Sequence, residues 1–170
     1  MLPDGGIIGV MSSDASVAAG TLAESFTRFM DERESGLKHA LVAGFGRELG
    51  LEAAAEAWAY GWEHWERIRL MDNPAGFLWG VGRNKARLAG RGQSRSFPMV
   101  PNDQEYLVEP ALPKGLERLS ERQRITVLLK HGYGWTYAEI SELLDVSIPS
   151  LQKHAERGMT KLRRTLGAEQ

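Results

Sequence analysis

The side chains with the clearest capacity for chemistry lie between 150 and 164. At helical spacing, Ser150, Lys153, Arg157, Lys161 and Arg164 fall on one side, while Leu151, Ala155, Gly158, Met159, Leu162 and Leu166 fall on the other. One face packs and the other is cationic. Lysine and arginine held in register can pair with phosphates, and arginine can offer its planar fork to the edge of guanine, so the pattern suits the DNA major groove. A merely solvated charged face is the plain alternative. The preceding residues favour the groove. Thr136 and Glu139 form a capping box, since the hydroxyl and the carboxylate can each satisfy a free backbone N–H at a helix start. That helix carries Ile140, Leu143 and Leu144 and stops at Asp145-Val146-Ser147, where Ser147 can cap a second helix with Pro149 in its first turn. Two helices joined by about three residues read as a helix-turn-helix.

A second basic run, Arg83, Lys85, Arg87, Arg91 and Arg95, contains no acid and follows the apolar Phe77, Leu78, Trp79 and Val81. Aromatic rings beside arginines recur where single-stranded nucleic acid is held, by stacking and by phosphate contact; a solvated helix end is the alternative. Upstream, Glu48, Glu52, Glu56, Glu63 and Glu66 make one helix acidic, and its Trp58, Tyr60, Trp62 and Trp65 read chiefly as core, given the area each ring buries. The formal charge of −1 therefore conceals segregated faces, one acidic and two basic.

Other chemistry is poorly supported. The chain has no cysteine, which rules out disulfides, thiolate metal sites and a cysteine nucleophile. His39, His64, His131 and His154 show no metal-ligand spacing, and neither a Gly-rich phosphate loop nor a nucleophile elbow is present. No catalytic residue, metal or cofactor is expected. No apolar run approaches the roughly 18 residues that cross a bilayer, and the first residues lack the basic start and apolar core of a secretory signal, so a cytoplasmic protein without membrane insertion is expected.

These segments must be positioned by helices. Residues 1–20 read as a flexible tail. From Thr21, Leu22, Phe26, Phe29 and Met30 mark one helix, and Leu37, Leu41, Val42 and Phe45 a second, short one. Gly46 and Gly50 punctuate, and a stronger helix follows from about Leu51 to Arg67. Asn73 can cap a helix that has Pro74 at its first position and runs to about Gly92. The stretch 94–114, with Pro98, Pro101, Pro110 and Pro113 and the acids Asp103, Glu105 and Glu109, reads as a linker. In 115–170, Ser120 and Gln123 form another capping box, Ile125, Val127, Leu128 and Leu129 build the helix, and Gly132 can end it. The expected fold is all-α: two small helical domains, 21–93 and 115–170, joined by a flexible linker, the second a helix-turn-helix.

NPAGFLWGVGRNKAR, from Asn73 to Arg87, and the run from Leu116 to Leu166, in this order and separated by a proline-rich linker, resemble the bacterial RNA polymerase sigma factors of the extracytoplasmic-function type. The resemblance spans about Leu22 to Leu166. It implies that the first domain binds core RNA polymerase, at the clamp of the largest subunit, and captures the melted −10 element. Glu52, Glu56, Trp58 and Trp62 would then contact polymerase. Trp79, Arg83, Asn84, Arg87 and Arg91 would form the melting helix. The linker would thread toward the catalytic channel. The last domain would engage the flap of the second-largest subunit and read duplex promoter DNA at the −35 element through Ser150, Gln152, Lys153, His154, Glu156 and Arg157. Ala55 departs from a glutamine common in the family, His154 from a basic residue, and Pro149 from a glycine. An anti-sigma factor is a further partner that the resemblance brings into view. The competing reading is a stand-alone helix-turn-helix regulator, which leaves the acidic helix and the Arg-Asn segment without a task.

Overall fold

The computed structural model describes residues 11–92 and 111–167, which form helices and connecting turns with no strand among the described residues. The first lobe contains α1 (Met11–Phe45), α2 (Arg47–Glu63), the short α3 (Trp65–Ile68) and α4 (Pro74–Ala89). The second contains α5 (Leu112–Glu117), α6 (Glu121–Val127) continued by a π-helical turn (Leu128–Gly132), α7 (Tyr137–Leu144) and α8 (Ile148–Gly167).

The first helix departs from the sequence expectation in two respects. The first two helices are one: α1 runs unbroken to Phe45 because the apolar spacing from Phe26 through Leu37, Leu41 and Phe45 never leaves one face, and Gly36 alone does not break it. This helix also begins at Met11, so residues 11–20, expected to be loose, are helical, while 1–10 lie outside the described residues. The chain reverses at Gly46, whose φ of 88° is left-handed backbone that glycine adopts without strain. Gly50 completes the reversal. A Cβ there would sit 2.5 Å from Val42 Cα, so only glycine lets α2 fold back this closely on α1.

The rest of the first lobe closes around aromatic rings. Phe26 meets Trp65 at 5.3 Å and Trp58 at 6.0 Å, both edge to face, and Phe29 lies 4.7 Å from Trp65. The α2 helix stops at Glu63 rather than Arg67, and α3 restarts after His64. As expected, Asn73 caps α4 by accepting from Gly76 N at 2.8 Å, with Pro74 at the first helical position.

In the second lobe both capping boxes form, Ser120 with Gln123 and Thr136 with Glu139. Leu112–Lys114, read as linker, belong to α5, with Pro113 in its first turn where its missing N–H costs nothing. Residues 93–110 lie outside the described residues.

The two lobes pack on each other along α1. Ile125, Leu129, Ile140, Leu143 and Leu151 of the second lobe share one continuous buried cluster with Leu37, Leu41, Phe45, Leu78 and Trp79 of the first. Two glycines of α1 make the seats: a Cβ at Gly36 would come within 3.2 Å of the Trp135 ring, and one at Gly44 within 3.0 Å of Ile125 Cδ1. His39 stacks on Tyr133 with ring centres 4.1 Å apart. Arg124, only 3% exposed, spans the seam. It donates through Nη1 to Leu119 O at 3.1 Å and Leu116 O at 3.4 Å, and through Nη2 to Gly44 O at 2.8 Å.

A buried arginine with three carbonyl acceptors leaves those oxygens dry and unpaired when truncated. Arg124→Ala should therefore lower the unfolding free energy by about 3 kcal/mol in urea titration. A change below about 1 kcal/mol would contradict the assigned bonding.

Candidate nucleic-acid interface

The recognition pair is built from its caps. Thr136 Oγ1 accepts from Glu139 N at 3.2 Å, and Glu139 Oε2 accepts from Thr136 N at 2.7 Å, which fixes the start of α7. These bonds hold the exposed Glu139 carboxyl below its ordinary value of 4.5. The helix ends at Asp145, in left-handed backbone with φ 53° and ψ 48°, and the turn 145–147 delivers the chain into α8. Ser147 does not cap through a backbone amide. Its hydroxyl donates to Ser150 Oγ at 2.9 Å, and Pro149 stands in the first turn. Leu151, Ala155, Gly158, Leu162 and Thr165 bury one face of α8.

The opposite face is where the sequence placed it. Gln152, Lys153, Glu156 and Arg157 are exposed, and Ser150 is half-buried at the N-terminal end. Beyond Arg157 the cationic surface continues through Lys161 and Arg164, which line a shallow hollow with Gln123, Glu156 and Thr160. His154 differs from its neighbours. It is half-buried and lines a cleft facing the first lobe with Trp79, Arg83, Arg122 and Ile125. Burial, then the charges of Arg122 and Arg157, hold its imidazole below the ordinary 6.5 and so favour the neutral ring.

The second cationic element is less open. In α4, Asn84 is exposed, and Arg91, expected on this helix, is exposed in the turn beyond its end at Ala89, while Trp79 is a core residue that lies 6.5 Å from Phe45. Its ring supports the helix and is not available for a base to stack on. Arg83 Nε donates to Glu121 Oε1 at 2.7 Å. Arg87 donates to both Glu121 oxygens, from Nε at 3.0 Å and from Nη2 at 3.2 Å. One carboxylate, in the first turn of α6, thus engages two of the five side chains expected to hold melted DNA. Burial acts to raise that carboxyl, but the hydrogen bonds and charges of Arg83 and Arg87 outweigh it and hold it below 4.5. The sequence offered no sign of this pairing, because Glu121 is distant in the chain and reads as an ordinary first-turn acid.

The acidic face divides likewise. Glu52 and Glu56 are exposed on α2, where Glu56 pairs with Lys85 at 3.2 Å. Trp62 is 53% exposed beside Phe26, whereas Trp58 is 8% exposed and packs against Phe26 and Phe29. Trp58 therefore belongs to the core, and of the four residues expected to meet a partner, Glu52, Glu56 and Trp62 are exposed. Among the described residues no three His, Asp or Glu side chains gather as a metal site, and no helix is long and apolar enough to cross a membrane.

Residues 111–162 match the family model for sigma-70, region 4. Across the whole fold the chain is similar to the sigma factor RpoE from Bartonella quintana, solved in complex with the anti-sigma factor NepR. The TM-score is 0.61 with 17% identity, over 86% of this chain and 99% of that one. It is also similar to CnrH, solved in complex with the cytosolic domain of CnrY, with a TM-score of 0.59 and 18% identity over 92% and 96% of the two chains. No curated protein sequence matches. The second lobe thus carries the match to sigma-70 region 4, and the described chain as a whole shares the fold of these two solved proteins.

Two outcomes follow from this geometry. Trp58→Ala should cost about 3–5 kcal/mol in chemical unfolding, whereas Trp62→Ala, which removes an exposed ring, should cost less than about 1; equal losses would place both in the core. The seam should also weaken with acid. His39, whose imidazole burial and then Lys38 hold below 6.5, and His154 are favoured neutral, so their contribution is lost as pH falls below 6.5. Glu121 is favoured ionised, so its contribution is lost only below 4.5. Urea midpoints across this range should fall in that order, and a midpoint that rises from pH 7 to 5.5 would contradict the assignment.

Proposed function

We propose that this chain is a dissociable initiation subunit that binds core RNA polymerase and directs it to promoters with particular −10 and −35 elements. The observation that carries the reading is the pairing, within one sigma-like fold, of a region 4 domain whose α8 displays Lys153 and Arg157 with a second cationic helix, α4, beside an exposed acidic face on α2. In this reading 21–93 serves polymerase and the melted −10 strand, 94–114 threads toward the catalytic channel, and 115–170 reads the −35 duplex and meets the flap. Glu52, Glu56 and Trp62 face the clamp. Arg83, Asn84, Arg87 and Arg91 follow the single-strand backbone. Ser150, Gln152, Lys153, Glu156 and Arg157 face the major groove, with His154 at its edge. The chain itself supplies no catalytic group, and the chemistry stays in the polymerase, in the cytoplasm.

The neighbour RpoE was solved with an anti-sigma factor, which supports assigning this chain an anti-sigma partner as well. A stand-alone regulator is not favoured, since it gives α1–α4 no role.

Core polymerase reconstituted with the chain should initiate at a reproducible set of 5′ ends across a fragmented genomic library, and core enzyme alone should not. Absence of any promoter-dependent start would remove the reading. Within that assay, Arg157→Ala should weaken promoter binding by about 1–3 kcal/mol if the guanidinium reads a base. An unchanged footprint at moderate salt would take Arg157 out of the interface.

A further inference from the structure

A recess of about 190 Å³ lies where α1, the start of α4 and α7 meet, and none of the residues assigned above to DNA or polymerase lines it. Its inner wall is apolar. Leu37, Ala75 and Leu143 form the buried part, and the half-buried ring of Trp135 forms the rest. That ring is fixed by its surroundings: the Trp135 backbone N–H donates to Leu129 O at 2.9 Å, and the ring tip reaches Gly36, where a Cβ would come within 3.2 Å of it.

The mouth is charged and unbalanced. Glu32, Glu139 and Glu142 line it against a single cation, Arg33, which is itself used in pairing with Glu142 at 3.2 Å. Lys130 is placed elsewhere, with its ammonium 4.9 Å from the centre of the Tyr137 ring. Glu139 accepts both Thr136 bonds through Oε2, which leaves Oε1 for another donor. An indole wall behind surplus carboxylates suits a cation that carries an apolar stem. An inorganic cation would satisfy the mouth alone, and a neutral molecule only the wall. The volume lies below the roughly 300 Å³ at which sites for drug-sized ligands begin, so the occupant is limited to a few heavy atoms.

We propose that this recess is a binding site for a small aliphatic amine, with the alkyl stem against Trp135, Leu37 and Leu143 and the ammonium among Glu32, Glu139 and Glu142. The two parts of the ligand meet the two parts of the site. Burial of the stem supplies the hydrophobic gain, and the carboxylates, with the ring beside them, supply charge-assisted hydrogen bonds and cation–π attraction. The walls come from both lobes, since α1 and α4 give one side and Trp135 and α7 the other. An occupant therefore adds to the contact between the lobes by mass action, and that contact responds to amine concentration.

The test follows the indole N–H signal of Trp135 by NMR in the isotope-labelled full-length chain, at constant pH and ionic strength. Trp135→Phe identifies which of the five tryptophan signals it is. n-Butylammonium should move this signal saturably, with half-saturation on the order of 1 mM, and should raise the urea midpoint. Ammonium ion, which lacks the stem, and 1-butanol, which lacks the charge, should each bind at least roughly tenfold more weakly. No movement with n-butylammonium up to about 50 mM overturns the site. An equal response to ammonium ion also overturns it, because only a set of acids is then being titrated, and an equal response to 1-butanol does so because the carboxylates then play no part. Glu32→Gln combined with Glu142→Gln changes two exposed side chains and leaves Glu139 opposed by Arg33. The fold should survive, and affinity for n-butylammonium should fall roughly tenfold; unchanged affinity counts against the assignment. These readouts use neither polymerase nor DNA, so absence of promoter-dependent initiation would count against the sigma-factor reading and not against the recess.

Discussion

The contact on which the rest depends is the seating of the second lobe on α1. It combines three kinds of interaction. Apolar burial is the largest, because Ile125, Leu129, Ile140 and Leu151 complete a core that Leu37, Leu41 and Phe45 begin. Steric permission comes next, from Gly36 and Gly44, which leave room for Trp135 and Ile125. The Arg124 guanidinium adds direction: its bonds to Leu116, Leu119 and Gly44 can be made together only when the lobes are in register. Without this seam, Arg83 and Arg87 would be free cations on a solvated helix.

From that seam follows a separation of surfaces by accessibility. The α2 face is presented, the cationic face of α8 is presented, and Arg83 and Arg87 of α4 are paired with Glu121. Charge explains the last of these. The two guanidiniums of Arg83 and Arg87 outweigh the desolvation of the carboxylate between them and hold Glu121 below the ordinary carboxylate range. Surface pairs such as Lys85 with Glu56 are half-exposed and worth little, so they orient the α4–α2 contact without deciding it.

How much of this could be read in advance depended on whether the signal was local. The capping boxes at Ser120 and Thr136, the Asn73-Pro74 start of α4 and the cationic stripe of α8 were legible because each needs residues only three or four apart. The length of α1 was not, since glycine at 36 resembles a break until its seat for Trp135 is seen. Trp58 and Trp62 differ by one turn and have the same chemistry; only the position of Phe26 and Phe29 decides which is core. The seam contacts of Glu121 and Arg124 carried no local signal, because Arg83, Arg87 and Gly44 are first-lobe residues brought to them by the fold.

The most direct measurement of the central claim, that the two lobes of the free protein are closed on one another, is small-angle X-ray scattering of the native full-length chain at low concentration. Closure predicts a radius of gyration of about 16 Å, as for a compact chain of this length. A value well above about 20 Å, with a broad distance distribution, would show the lobes apart and contradict the account.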